Sequence, residues 1–124
     1  MHIEDIIPQL LNPLASNRVW ESSTPDTIPR GPNGAFLDFI IWTQNGGQDA
    51  EYVDQTMGSH SNARIQVIAF SASGKGSSTL IRQVRDRLLA SAYTVGVYGS
   101  PVGTYDTARK LTGRMQQFGI WYPQ

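Results

Sequence analysis

The sequence predicts an α+β domain: a mostly antiparallel sheet of four to five strands, two helices packed on one face, and a long protruding β-arm or loop. Three observations lead there. Two segments, 3–15 and 77–92, repeat apolar residues at the three-and-four spacing of a helix face. Runs rich in β-branched and aromatic residues lie between and after them, bounded by Gly and Pro. The two strongest of these runs are separated by a polar, glycine-containing excursion from Gln44 to Asn62, far longer than a hairpin turn. The 124 residues are enough for one core and too few for two, so residues 1–124 read as a single domain.

In the first helix, Ile3, Ile6, Ile7, Leu10, Leu11 and Leu14 make one apolar stripe. Glu4 and Asp5 stand in its first turn, where the helix dipole favours acids. Pro8 forfeits a hydrogen bond, so the helix is expected to begin near Ile6 or to kink, and Asn12-Pro13 marks its end. Arg18-Val19-Trp20 reads as a short strand. From Glu21 to Gly34, three prolines (Pro25, Pro29, Pro32) and two glycines (Gly31, Gly34) predict an extended, semi-rigid surface loop.

Ala35–Thr43 reads as a strand with Leu37, Phe39 and Ile41 on one face and Phe36, Asp38, Ile40 and Trp42 on the other. Apolar residues on both faces place it centrally, or beneath a partner. In the excursion that follows, Tyr52, Val53 and Met57 are compatible with a loose β-arm. Ala63–Ser71 is the next strand, with Ile65, Val67 and Ala69 facing one way and Arg64, Gln66, Ile68 and Phe70 the other. Strand, excursion and strand predict an antiparallel pair with a protruding tip.

Ser77–Ala92 is the clearest helix. Leu80, Ile81, Val84, Leu88 and Ala92 face inward with Leu89 beside them, and Arg82, Gln83, Arg85, Asp86 and Arg87 face out. Thr94–Tyr98 follows as a strand, Gly99–Gly103 as a turn around Pro101, and Leu111–Tyr122 as a terminal strand. The order is α-β-β-β-α-β-β, and no internal repeat is visible.

Composition narrows the function. Forty per cent hydrophobic and 16% charged residues describe a folded domain and not a disordered tail. The absence of cysteine excludes disulfides, a thiol nucleophile and thiolate metal sites. His2 and His60 stand far apart, with no metal-binding histidine spacing. No apolar run approaches the roughly 20 residues of a membrane span. The start, Met1-His2-Ile3-Glu4-Asp5, has acids where a secretion signal has lysines, so a cytoplasmic setting is expected. The net charge of zero hides a segregation. Residues 1–63 carry eight acids against two arginines, net −6, and residues 64–124 carry eight bases against two acids, net +6. Such a split serves internal pairing, or gives the folded unit an acidic and a basic side suited to head-to-tail association.

Candidate chemistry is thin. Ser73-Gly74-Lys75-Gly76-Ser77-Ser78-Thr79 has the look of a phosphate loop, but the pattern requires a glycine at Ala69 and Ser or Thr at Gly76. A connector with serine caps is the better reading. Asp38 lies among aromatics, yet the nearby acids Asp49, Glu51 and Asp54 sit on the excursion, with no histidine or serine elbow to complete a catalytic set. Those acids with His60 lack the ligand spacing of a calcium loop. Arg82, Arg85 and Arg87 with Lys75 form a basic patch. Asp86 interrupts it, and the pI is 6.7, against a general nucleic-acid surface. No enzyme and no cofactor are expected.

The order and spacing of the segments resemble the tail-completion or tail-terminator (neck) proteins of long-tailed bacteriophages. The residues carrying the resemblance are Ile3 to Leu14, Val19-Trp20, the proline-rich crossing from Pro25 to Pro32, Arg64-Ile65-Gln66-Val67-Ile68-Ala69-Phe70-Ser71, Val84-Arg85-Asp86-Arg87-Leu88, Tyr105-Asp106, and Arg114 to Trp121. Two departures are Pro8 and the glycine-serine stretch from Gly74 to Ser78. The resemblance implies a structural virion protein, made in the host cytoplasm and built into the tail or neck. It implies a ring, usually of six subunits, that caps the tail tube, stops its growth and joins it to a head-closure or other neck protein. DNA would pass through without specific binding, and no membrane is involved. A head-closure protein is one alternative. A small nucleic-acid or nucleotide-binding module is another, favoured if Lys75 and the arginines converge on one exposed pocket. The charge split names the expected subunit interface: Asp49, Glu51 and Asp54 of one copy against Arg82, Arg85 and Arg87 of the next.

Overall fold

A computed structural model of the chain describes residues 2–24, 28, 30–32, 34, 36–49 and 60–123. Helix α1 (Ile3–Leu11) passes through a single 3-10 turn (Asn12–Leu14) to β1 (Val19–Glu21). Then come β2 (Phe39–Asp49), β3 (His60–Ser71), α2 (Gly74–Leu89), β4 (Thr94–Asp106) and β5 (Leu111–Pro123). The strands form one sheet in the order β1-β2-β3-β5-β4. β1 runs parallel to β2, and every other neighbouring pair is antiparallel. The α+β class, the strand count and the two helices are as the sequence predicts.

Both helices lie on one face of the sheet, and that face holds the main core. Ile3, Ile6, Ile7 and Leu11 from α1 and Leu80, Ile81, Val84 and Leu88 from α2 bury against Ile40, Trp42, Ile65, Val67, Phe118 and Ile120. Pro8 sits inside α1, yet the helix begins at Ile3 and not at Ile6. A helix-interior proline costs about 3 kcal/mol. Starting at Ile3 buries that side chain, worth roughly 1.5–3 kcal/mol, and adds the hydrogen bonds from the Asp5 and Ile6 N–H groups to the His2 carbonyl, which together offset the proline. The end of α1 is tied to α2 by Arg87, whose Nε donates to the Leu10 carbonyl at 3.0 Å.

On the opposite face of β2 a second, smaller cluster forms, to which Ile28 and Phe36 of the loop between β1 and β2 contribute. Ile28, Phe39 and Leu111 are buried there with Trp20, Phe36, Ile41 and Phe70 around them. The Phe39 and Phe70 rings stack 5.0 Å apart, and Arg30 lies 4.0 Å over Phe36. The strand starts at Phe39 and not at Ala35, because the Asp38 carbonyl accepts from Arg18 Nε (2.7 Å) and Phe36 bridges instead to Arg30.

Three further boundaries differ from the sequence reading. β2 and β3 reach into the polar excursion, pairing from Phe39↔Phe70 to Asp49↔Ser61 with a register shift between Gln44 and Gly47. Residues 50–59 lie outside the described residues, and with them the expected protruding tip. Helix α2 starts at Gly74, three residues before Ser77, and stops at Leu89, which leaves Ala92 exposed. The turn expected at Gly99–Gly103 is instead a bulge within a continuous thirteen-residue strand, β4.

Candidate functional site

The glycine-serine stretch has a structural explanation. Ser73 is the N-cap of α2, and its hydroxyl accepts from the Gly76 N–H at 3.0 Å. A Cβ on Gly76 would overlap Ser71 Oγ and lie 3.0 Å from Ser73 Oγ, so glycine lets the first helical turn seat on the end of β3. Lys75 lines a cleft of about 380 Å³ with Leu14, Asp38, Ser73, Thr79 and Gln83. Asp38 thus brings an acid to the lysine's own cleft, which is unsuited to a phosphate.

The arginines go elsewhere. Ser78, Ile81, Arg82 and Arg85 fall at i, i+3, i+4 and i+7, one stripe of α2. They line a second cleft of about 280 Å³, closed across from the helix by Arg114 of β5 and Pro101 of β4. Arg114 is half-buried, and its Nε donates to Ser78 Oγ at 3.2 Å. Its guanidinium passes over Gly103, where a Cβ would stand 2.6 Å from Nη1. Arg87 lies off this stripe, committed to the Leu10 carbonyl.

The wall at Pro101 is built by the bulge. Tyr98 pairs with Gln117 and Val102 with Met115, so Gly99, Ser100 and Pro101 stand opposite the single residue Gln116. Gly99 takes φ +71°, a left-handed conformation that glycine adopts without strain. Gln116 is buried, and its Nε2 donates to the carbonyls of Tyr98 (2.7 Å) and Gly99 (2.9 Å). The amide therefore fixes the shape that puts Pro101 over the cleft.

Charge in this cleft is scarcely compensated. Among the described residues, the ion pairs are Arg85–Asp86 at 3.5 Å and Arg109–Asp106 at 2.9 Å. The first is solvent-exposed and therefore weak. The second closes the β4–β5 hairpin, where Asp106 also accepts the Arg109 backbone N–H at 3.1 Å and Arg109 reaches Thr24. That arrangement, with the backbone N–H the largest contribution, holds the Asp106 carboxyl below its usual value of 3.8. The Tyr105-Asp106 pair singled out in the sequence is thus part of a hairpin closure.

β4 is the outer strand of the sheet, and Val97, Tyr98, Val102 and Tyr105 on it are exposed. On the helix-free face, Tyr98 lies across Gly119, where a Cβ would be 2.9 Å from its ring, and Arg64 stacks over it at 4.0 Å. No group of three or more metal-ligating side chains occurs among the described residues. No helix among them is long and apolar enough to cross a membrane.

Of the expected interface residues, Arg82 and Arg85 meet in one cleft and Arg87 does not join them. Asp49 is placed by its backbone at the end of β2, while Glu51 and Asp54 lie outside the described residues. Arg114, Ser78, Pro101 and Gln116 were not anticipated. The i, i+3, i+4, i+7 stripe was there to be read, but no local signal announces that β5 brings Arg114 beside it. The chain matches no protein-family model and no curated protein.

Proposed function

We propose that this chain is a structural subunit of the tail-terminator kind, which assembles into a ring that caps a phage tail tube and joins it to the neck. The observation that carries the self-assembly is the β4 edge of the sheet, which no other strand pairs among the described residues. β4 is a thirteen-residue edge strand without lysine or arginine; Pro101 and the Gly99–Pro101 bulge interrupt backbone pairing midway, so the surface it offers is its exposed Val97, Val102 and Tyr105 side chains. Exposed apolar side chains spaced along this edge fit a surface that another subunit covers. The separated charges of the two halves of the chain fit a ring, in which each subunit gives one surface and receives on another. The segments that carry the resemblance to tail terminators supply its virion context.

Nucleotide binding is not favoured, since Lys75 and the arginines line different clefts. Negative-stain imaging of the purified protein, with sedimentation velocity on the same sample, tests the proposal. Rings, expected with six subunits, are the predicted outcome. Added to polymerising tube protein, the rings should arrest growth, whereas a head-closure protein should leave tube length unchanged. A chain that stays monomeric at about 100 μM, well above the range of specific protein association, argues against assembly.

A further inference from the structure

The cleft between α2 and the β4 bulge gathers three guanidinium groups and one hydroxyl. Arg82 and Arg85 come from one helical stripe, and Arg114 crosses from β5, braced by Ser78. Pro101 supplies an apolar wall to the cleft, and Ile81, 2% exposed, lines it from the main core. Among the described residues, the only carboxylate within ion-pair distance of the three is Asp86, 3.5 Å from Arg85, with 70% of its side chain exposed. Arg82 and Arg114 have no such partner among those residues. Gln116 and Gly99 hold the bulge that closes the cleft. This is a positioned concentration of positive charge beside an apolar wall.

Guanidinium forks match planar carboxylates in geometry as well as charge. The chain itself is the source of suitable carboxylates, because residues 1–63 carry an excess of six negative charges while the whole molecule is neutral. Their densest run is Asp49-Ala50-Glu51-Tyr52-Val53-Asp54, three acids and no base, with an aromatic and an aliphatic residue between them. That alternation of acid and apolar groups complements a cleft of arginines with an apolar wall at Pro101. We propose that the Arg82–Arg85–Arg114 cleft is the receptor for segment 49–54 of a second copy of this chain. The inference rests on the self-assembly reading above, and it replaces Arg87 with Arg114 in the interface expected from sequence. Opposite charge steers the encounter and fixes its register, while the apolar groups resist dissociation.

The test separates the receptor from the ring. A full-length chain with Asp49→Asn, Glu51→Gln and Asp54→Asn has no acidic segment of its own to compete and serves as the receptor. A fluorescent peptide of residues 47–56 is the probe, followed by anisotropy. Saturable binding is expected, weakened about tenfold or more by Arg82→Gln or Arg85→Gln and abolished when the peptide's three acids are amidated. Both arginines are exposed, so circular dichroism of the variants should match the parent. Arg114→Lys, which keeps the charge but loses the fork, should also weaken binding. Failure of the peptide to bind at millimolar concentration, or binding indifferent to the arginines, overturns the receptor. Displacement of the peptide by a short DNA duplex that itself needs the same arginines makes this a phosphate site and likewise overturns it. Rings formed by the wild-type chain without peptide binding leave the assembly reading standing and remove only the receptor. Peptide binding by a chain that self-associates without closing rings upholds the receptor and removes only the ring, whereas peptide binding by a chain that stays monomeric overturns the second-copy receptor.

Discussion

Replacing Gln116 with leucine tests whether one amide holds the β4 bulge. The side chain is 3% exposed and makes two hydrogen bonds, to the carbonyls of Tyr98 and Gly99. Each such bond contributes about 0.5–1.5 kcal/mol net, which bounds the loss at about 1–3 kcal/mol. The two carbonyls belong to exposed residues of an edge strand, so water can replace part of what is lost, and the lower half of that range is expected. Leucine nearly preserves the volume, which keeps a cavity penalty small. An unfolding entropy of about 2.1 cal/mol/K per residue over 124 residues makes 1 kcal/mol equal to about 4 °C in Tm. Gln116→Leu should therefore melt about 4–8 °C below the parent by circular dichroism. Hydrogen exchange should rise at residues 97–102 and stay unchanged in β3. A Tm within about 1 °C of the parent, or equal acceleration everywhere, would refute the assignment of the bulge to this amide.

Three other outcomes are expected. Gly76→Ala should lower stability although alanine is the better helix former by about 1 kcal/mol, because its methyl overlaps Ser71 Oγ; a stabilised variant in a urea melt would contradict that packing. Asp106→Asn should be less stable than the parent at neutral pH, and the gap should close on acidification. A carboxyl held below its usual 3.8 adds stability above that value and loses it as the pH falls through the lower native value, so a gap that widens in acid would reverse the sign. Calorimetry with ATP or GTP and magnesium should give no heat of binding, and a micromolar affinity abolished by Lys75→Ala would reinstate the phosphate-loop reading.

Much of the fold was legible because it rests on local periodicity. The stripes of α1 and α2 and the alternation in β3 name the residues that the main core buries. Pro8 misled because local helix propensity was set against the burial of Ile3, and burial prevailed. The Gly99–Gly103 stretch misled for a related reason. Gly and Pro together signal a turn, but Gln116, eighteen and seventeen residues from the two carbonyls it binds, converts that turn into a bulge within one strand. Tertiary hydrogen bonds of this kind leave no mark in a local window. The covering of β2's second face was left open by the sequence, and Ile28 and Phe36 of the chain's own loop contribute to the cluster there.

The charge pattern shows where sequence proximity and spatial proximity part. Arg82, Arg85 and Arg87 are near one another in sequence, but five residues along an α-helix is about 500° of turn, so Arg87 stands about 140° round from Arg82. It meets α1 at Leu10 while the other two meet Arg114. α2 and β5, both from the basic half, supply all three arginines of the cleft. The buried Gln116 amide and the left-handed Gly99 shape the wall beside these charges. Three guanidinium groups held beside that wall, in a molecule of zero net charge, make the position of the compensating carboxylates the physical question at this surface. Exposed Asp86 offers only a weak pair. The remaining acids belong mostly to the other half of the chain, and the proposed ring would bring that half from a neighbouring subunit.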